Sequence, residues 1–174
     1  MRNRYTFCSL CGGGLQRDGR NLACTRCSFV NYRNPRPTAT ALVVHGERIL
    51  LAKRKHAPFR GWWDLPGGFV DRGESMEEAL ARELTEEMGL RVKRQTFFGT
   101  YAGTYPSPHD PFHIVTAVYL IEPHSEDVRV LDRKEIADLR WFSRKELPRR
   151  IAFDSNQKVI ADFLKRTGGR TSVT

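Results

Sequence analysis

Apolar positions in this chain fall into a few short runs and one four-residue repeat. Residues 38–45 form an apolar, β-branched run of the kind a buried strand carries. Gly46 and Glu47 offer a turn, and residues 49–52 predict a strand paired back on the first. Residues 95–101 and 113–121 predict two more strands, and residues 138–142 a short one. Met76, Leu80, Leu84 and Met88 recur at four-residue spacing, which predicts a helix with one buried stripe. Ser75 followed by Glu78 is a capping box that starts this helix near Met76, and Gly89 suits the left-handed residue just past its end. Gly67, Gly68 and Gly73 predict a loop of little bulk ahead of it. A last helix is predicted with Ser155 as its N-cap and Val159, Ile160, Phe163 and Leu164 along one side. Near the start, Asn34-Pro35-Arg36-Pro37 breaks any helix and favours extended backbone. It marks a boundary between residues 1–35 and 36–174.

Composition narrows the class. Of 174 residues, 40% are hydrophobic and 28% charged, which suits a folded domain rather than a disordered chain. No apolar run of about 18 residues is present, so no membrane span is expected. Residues 1–15 lack the apolar core of a secretory leader, so the expected compartment is the cytoplasm. The 29 basic against 20 acidic residues give +9, which invites a nucleic-acid reading. The charge is uneven, however. Residues 1–36 hold seven arginines and one acid, while residues 64–87 hold eight acids and two arginines.

All four cysteines lie in the basic head, as Cys8-x-x-Cys11 and Cys24-x-x-Cys27 separated by twelve residues. This spacing suits a tetrahedral structural zinc ion held on two knuckles, a small zinc ribbon. Two disulfides are the alternative, disfavoured in a reducing compartment. Four thiolates leave no open position, so this zinc is not expected to be catalytic. The ribbon reads as a cap on the following domain or as a nucleic-acid contact.

The acids of the predicted helix have their own pattern. Glu83 and Glu87 are four apart and Glu86 is three from Glu83, so all lie on or near one face. Clustered carboxylates repel one another unless a cation joins them, and a set of oxygen ligands suits Mg²⁺ or Mn²⁺. A solvated acidic face is the alternative.

These residues carry a family resemblance. Gly68, Glu74, Arg82-Glu83-Leu84-x-Glu86-Glu87-x-Gly89-Leu90 matches the 23-residue Nudix box at nine specified positions, and Trp63-Asp64-Leu65-Pro66-Gly67 resembles the lead-in common in that family. The resemblance covers about residues 37–166 and implies an α/β fold, a mixed sheet sandwiched between helices. It also implies divalent-metal-dependent hydrolysis of a nucleoside diphosphate linked to another moiety. By the same resemblance Glu83 and Glu87 are expected metal ligands, Glu86 a further ligand or the base, and the Gly67 carbonyl another ligand. Glu74 ligates or orients, and Arg82 holds the carboxylates. Glu135, in the segment 134–142, is the expected extra carboxylate.

A four-cysteine ribbon ahead of such a domain resembles NADH pyrophosphatases and FAD pyrophosphatases of the family. The NADH group carries Ser-Gln-Pro-Trp-Pro-Phe-Pro after the box, which residues 97–112 lack, and has a larger N-terminal domain that this sequence does not show. ADP-ribose, FAD or another nucleotide conjugate is therefore expected as substrate, with Tyr101, Tyr105, Phe112, Phe59 and Trp62 as candidates for stacking on its base. The partner set is completed by a homodimer and by nucleic acid as secondary candidates, with no membrane. The rival functional readings are hydrolysis of a nucleotide cap on RNA, and a non-catalytic ligand sensor whose ribbon contacts RNA or DNA.

Overall fold

The computed structural model describes residues 5–107 and 111–167. Arg2 and Arg4 of the basic head, and Pro108, His109 and Asp110 of the stretch compared with the NADH group, lie outside the described residues. The chain divides into two compact units, Met1–Pro35 and Arg36–Thr174.

The first unit is a three-stranded antiparallel meander of β1 (Leu15–Asp18), β2 (Asn21–Cys24) and β3 (Val30–Asn31), strands too short and polar to stand out in the sequence. Among its described residues, Cys8 and Leu22 are the buried apolar side chains, while Tyr5, Phe7, Leu10 and Tyr32 are exposed. A unit with so little apolar burial needs another source of stability.

The second unit holds β4 (Arg36–His45), β5 (Arg48–Arg54), β6 (Trp63–Asp64), β7 (Gly67–Phe69), α1 (Met76–Met88), β8 (Val92–Tyr105), β9 (Phe112–Pro123), β10 (Ile136–Ser143) and α2 (Asp154–Thr167). The sheet runs β10-β5-β4-β9-β8, with β6 added to β5 and β7 to β4. β4 and β9 are parallel and the other pairs antiparallel, so the sheet is mixed.

Central strand β4 explains its own composition. Ala39, Ala41 and Val43 face a core that includes Leu80, Leu84 and Met88 of α1. Leu42 faces a second core that includes Val159, Ile160 and Phe163 of α2. A strand covered on both faces reads as continuous apolar sequence, whereas one open to water alternates. The helices thus flank the sheet, as the α/β expectation required.

Three expectations change. The strands at 95–101 and 113–121 extend to Val92–Tyr105 and Phe112–Pro123, because pairing runs through polar positions that carry no apolar signal. Ser155 is not an N-cap: α2 begins at Asp154, and Ser155 is buried in its first turn against Gly103. Gly67 and Gly68 form strand β7 rather than open loop. There a Cβ on Gly67 would stand 2.2 Å from the Ala39 carbonyl oxygen, so only a bare backbone lets the two strands pair. Among the described residues, no helix is long and apolar enough to cross a membrane.

Candidate functional site

The acidic face of α1 is set by its caps and its buried stripe. Ser75 Oγ accepts from the Glu78 amide (3.2 Å) and Glu78 Oε2 accepts from the Ser75 amide (2.8 Å), closing both halves of the capping box. Gly89 takes φ 64°, and its N–H reaches back to the last carbonyls. Burial of Leu80, Leu84 and Met88 then fixes the helix rotation and turns Glu83 and Glu87 toward β7. Gly68 makes room: a Cβ there would lie 2.2 Å from Glu83 Oε1.

Arg82 ties the acids together. Its Nε donates to Glu74 Oε1 (2.7 Å), Nη1 to Glu83 Oε1 (3.0 Å) and Glu86 Oε2 (3.3 Å), and Nη2 to Glu74 Oε2 (3.1 Å) and the Phe69 carbonyl (3.3 Å). These bonds hold the Glu74 carboxyl below the usual carboxylate range, while burial raises Glu83 in spite of Arg82.

Glu87 is treated differently. Burial first, then the charges of Glu83 and Glu135, push its carboxyl up to about 8. Its Oε2 is shut off from solvent and has no hydrogen-bond partner among the described residues. Glu135 is brought to it by the preceding loop. The amides of Leu131 and Asp132 donate to the Glu87 carbonyl (2.9 and 3.3 Å), and the Ile136 amide to the Asp132 carbonyl (3.1 Å). The segment carrying Glu135 therefore hangs from the end of α1.

A cleft of about 190 Å³ is lined by Gly67, Glu87, Glu135, Tyr105, Arg54 and Asp64 among others. Tyr105 lies in a stack of three rings, 5.1 Å from Phe112 and 5.4 Å from Phe153. Phe59 meets Phe153 edge-on at 5.1 Å, and Trp62 packs on Phe59 at 5.2 Å. Arg36 lies 3.8 Å over the Phe112 ring. Four of the five aromatic candidates are thus joined in one wall. Tyr101 stands apart: its hydroxyl donates to Asp162 of α2 (3.1 Å), and its ring packs into the α2-side core.

The sequence reading gave no role to Arg54, Asp64, Phe153 or Asn156. Asp64 is buried and accepts from Arg54 Nη1 (3.0 Å), Asn156 Nδ2 (2.6 Å) and the Leu65 amide (3.0 Å). Desolvation raises its carboxyl to about 6 against these partners. Phe153 adopts φ 57°, the left-handed region. The available signal was Asp64 itself, an acid between apolar neighbours in the lead-in to the glycines.

The metal question has two parts. Among the described residues, only Cys8, Cys11, Cys24 and Cys27 bring three or more candidate ligand atoms within 4.8 Å of one another. Their sulfurs approach to 3.8 Å (Cys8 and Cys27) and 3.5 Å (Cys11 and Cys24). Tetrahedral thiolates at about 2.3 Å from zinc would stand about 3.8 Å apart. Amides of Leu10 and Arg26 donate to the sulfurs of Cys8 and Cys24 (3.4 and 3.3 Å), and the Arg26 amide helps bring the Cys24 thiol down to about 6. In the second unit, Glu83 and Glu86 are drawn onto Arg82, but the partnerless buried oxygen of Glu87 and the all-oxygen donor set suit a hard divalent cation.

The model of the NUDIX domain family matches residues 34–163. A protein named ADP-ribose pyrophosphatase from Methanocaldococcus jannaschii is 33% identical over 138 residues, 79% of this chain and 78% of that one. A protein named NAD-capped RNA hydrolase NudC from Haemophilus influenzae is 33% identical over 143 residues, 80% of this chain and 52% of that one. The chain thus spans about half the length of that relative. The crystal structure of a NUDIX hydrolase from Nitrosomonas europaea superposes with TM-score 0.73 at 26% identity, covering 97% of this chain and 95% of that one.

Proposed function

The chain belongs to the NUDIX domain family, and from that premise we propose that it hydrolyses the pyrophosphate bond of a nucleoside diphosphate linked to another moiety, ADP-ribose first among the candidates. One observation carries the reading. The buried Glu87 oxygen, without a partner among the described residues, belongs to a side chain that lines one cleft with Glu135 and Gly67, which is the setting of a cation that meets a phosphate. Glu83, Glu87, Glu135 and the Gly67 carbonyl are the proposed ligands of Mg²⁺ or Mn²⁺, with Glu74 as orienter. The ion, when bound, supplies neutralisation of phosphate charge. Arg82 holds Glu83 and Glu86 in place. Glu86, whose side chain is 60% exposed, takes the proton as a water oxygen bonds to phosphorus and the bridging oxygen departs with the other phosphate. The wall of Tyr105, Phe112, Phe59 and Trp62 receives the base. Residues 1–35 form a zinc ribbon with a structural Zn²⁺ on the four cysteines, and residues 36–174 the hydrolase domain.

The name of the M. jannaschii relative supports ADP-ribose, and that of the H. influenzae relative supports a second reading, removal of a nucleotide cap from RNA. A panel of ADP-ribose, FAD, NADH and NAD-capped RNA, with products read by mass spectrometry, separates them. We expect AMP from ADP-ribose, dependent on Mg²⁺ or Mn²⁺, and a turnover loss of at least about 100-fold in Glu83→Gln. A folded protein that cleaves none of the four, or a Glu83→Gln variant with unchanged turnover, would overturn the assignment.

A further inference from the structure

Arg54 sits at the end of β5 in the same cleft as Glu87 and Glu135. Its guanidinium is held from three sides. Nε donates to the Pro58 carbonyl (2.8 Å), Nη1 donates to Asp64 Oδ2 (3.0 Å), and the plane lies 4.9 Å over the Phe153 ring. Asp64 is in turn fixed by Asn156 of α2 and by the Leu65 amide. A buried carboxylate with all its partners on rigid elements is a costly device for mere stability, since an apolar replacement commonly does as well. What it does supply is a cation of fixed direction. Of the five N–H groups of a guanidinium, two are used, and among the described residues the other three have no partner. The side chain remains 24% exposed.

We propose that Arg54 binds the diphosphate of the substrate through its unused N–H groups, and that Asp64 and Asn156 are positioning residues that hold its fork toward the cleft. The inference rests on the hydrolase reading above for its substrate class, a nucleoside diphosphate conjugate. A planar fork matches two phosphate oxygens at once, which fixes orientation as well as charge. Because the same guanidinium lies on Phe153, which stacks on Tyr105, the diphosphate and the base wall are held in one register. The acids of α1 take the cation, and Arg54 takes phosphate charge that the cation leaves.

Inorganic pyrophosphate titrated into the full chain by calorimetry, with no Mg²⁺ or Mn²⁺ added, tests Arg54 apart from catalysis. The wild type is expected to bind, Arg54→Gln to bind at least about tenfold more weakly, and Arg54→Lys to fall between, keeping the charge and losing the fork. With ADP-ribose and Mg²⁺, KM is expected to rise in the same order with kcat changing less than KM. Asp64→Asn should raise KM too, and the Asp64→Asn/Arg54→Gln pair should be no worse than Arg54→Gln alone, because Asp64 acts through the guanidinium. Absence of pyrophosphate binding by the wild type, equal affinity in the Arg54 variants, or additive losses in the pair would each overturn the proposal. A wild type that binds pyrophosphate but cleaves no conjugate keeps Arg54 and removes the hydrolase reading instead. Should Arg54→Gln fail to fold by circular dichroism, Arg54→Lys carries the comparison.

Discussion

At the scale of single residues, two kinds of acid share the cleft, and the sequence showed only one of them. Glu83, Glu86 and Glu87 were legible because helical spacing places them together without knowledge of the fold. Asp64 was not, since its partners lie ten and 92 positions away. Its environment makes a pH prediction. Burial raises the folded-state carboxyl to about 6 from 3.8. Between those values the folded protein keeps a proton that the unfolded chain has released, so this group makes stability fall as pH rises from about 4 to 6 and level off above. The effect is bounded by about 3 kcal/mol. Thermal melts of the wild type and Asp64→Asn across pH 4–7 check it. The variant should gain on the wild type through that window, and parallel curves would show that Asp64 does not titrate there.

At the scale of elements, helix α1 was readable end to end, because its stripe, capping box and Gly89 are all local signals. Strands β6 and β7 were not. Two and three residues long, they exist only because β4 and β5 stand ready to pair with them. The two glycines of β7 have different tasks, and substitution should separate them. Gly68→Ala meets the movable end of Glu83. We expect kcat to fall by about tenfold or more while Tm changes by no more than about 3 °C, the equivalent of 1 kcal/mol in a chain of this size. Gly67→Ala meets the fixed Ala39 carbonyl at φ 134° and should cost about 3 kcal/mol or more in stability. Kinetics and melts on the two variants check this, and similar behaviour of the two would show that β7 is not held as close to β4 as described. The expected Ser155 cap failed for a related reason. A serine ahead of an apolar stripe is a sound local signal, but packing against Gly103 drew it into the first turn and buried it.

At the scale of the molecule, the +9 charge comes from a chain with a basic head, an acidic centre and a basic remainder. An acid-rich stretch of the kind that suits a cation sits in a chain basic enough to attract phosphates. Among its described residues the first unit has too few buried apolar side chains to hold itself, so zinc should do so. We expect metal analysis to find one zinc per chain, and Cys11→Ser to lose it together with amide-exchange protection in β1 and β2. Protected β1 and β2 amides in metal-free protein would count against this role. The layered fold was recognisable early through the family resemblance carried by residues 68–90, while the lack of polar alternation in residues 38–45 marked only one buried strand, and the order of strands was not written locally. The parallel pairing of β4 with β9 joins Arg36 to Ile114 and Val43 to Ile121. That pairing sets an order in time. During synthesis the whole box, from Gly68 to Leu90, leaves the ribosome before β8, β9 and β10, so the carboxylates receive their rigid floor only after their own helix has been made. Chains halted short of Phe112 lack Ala117, Tyr119 and Ile121 of the core on which α1 packs, and should show neither a stable α1 nor a cleft.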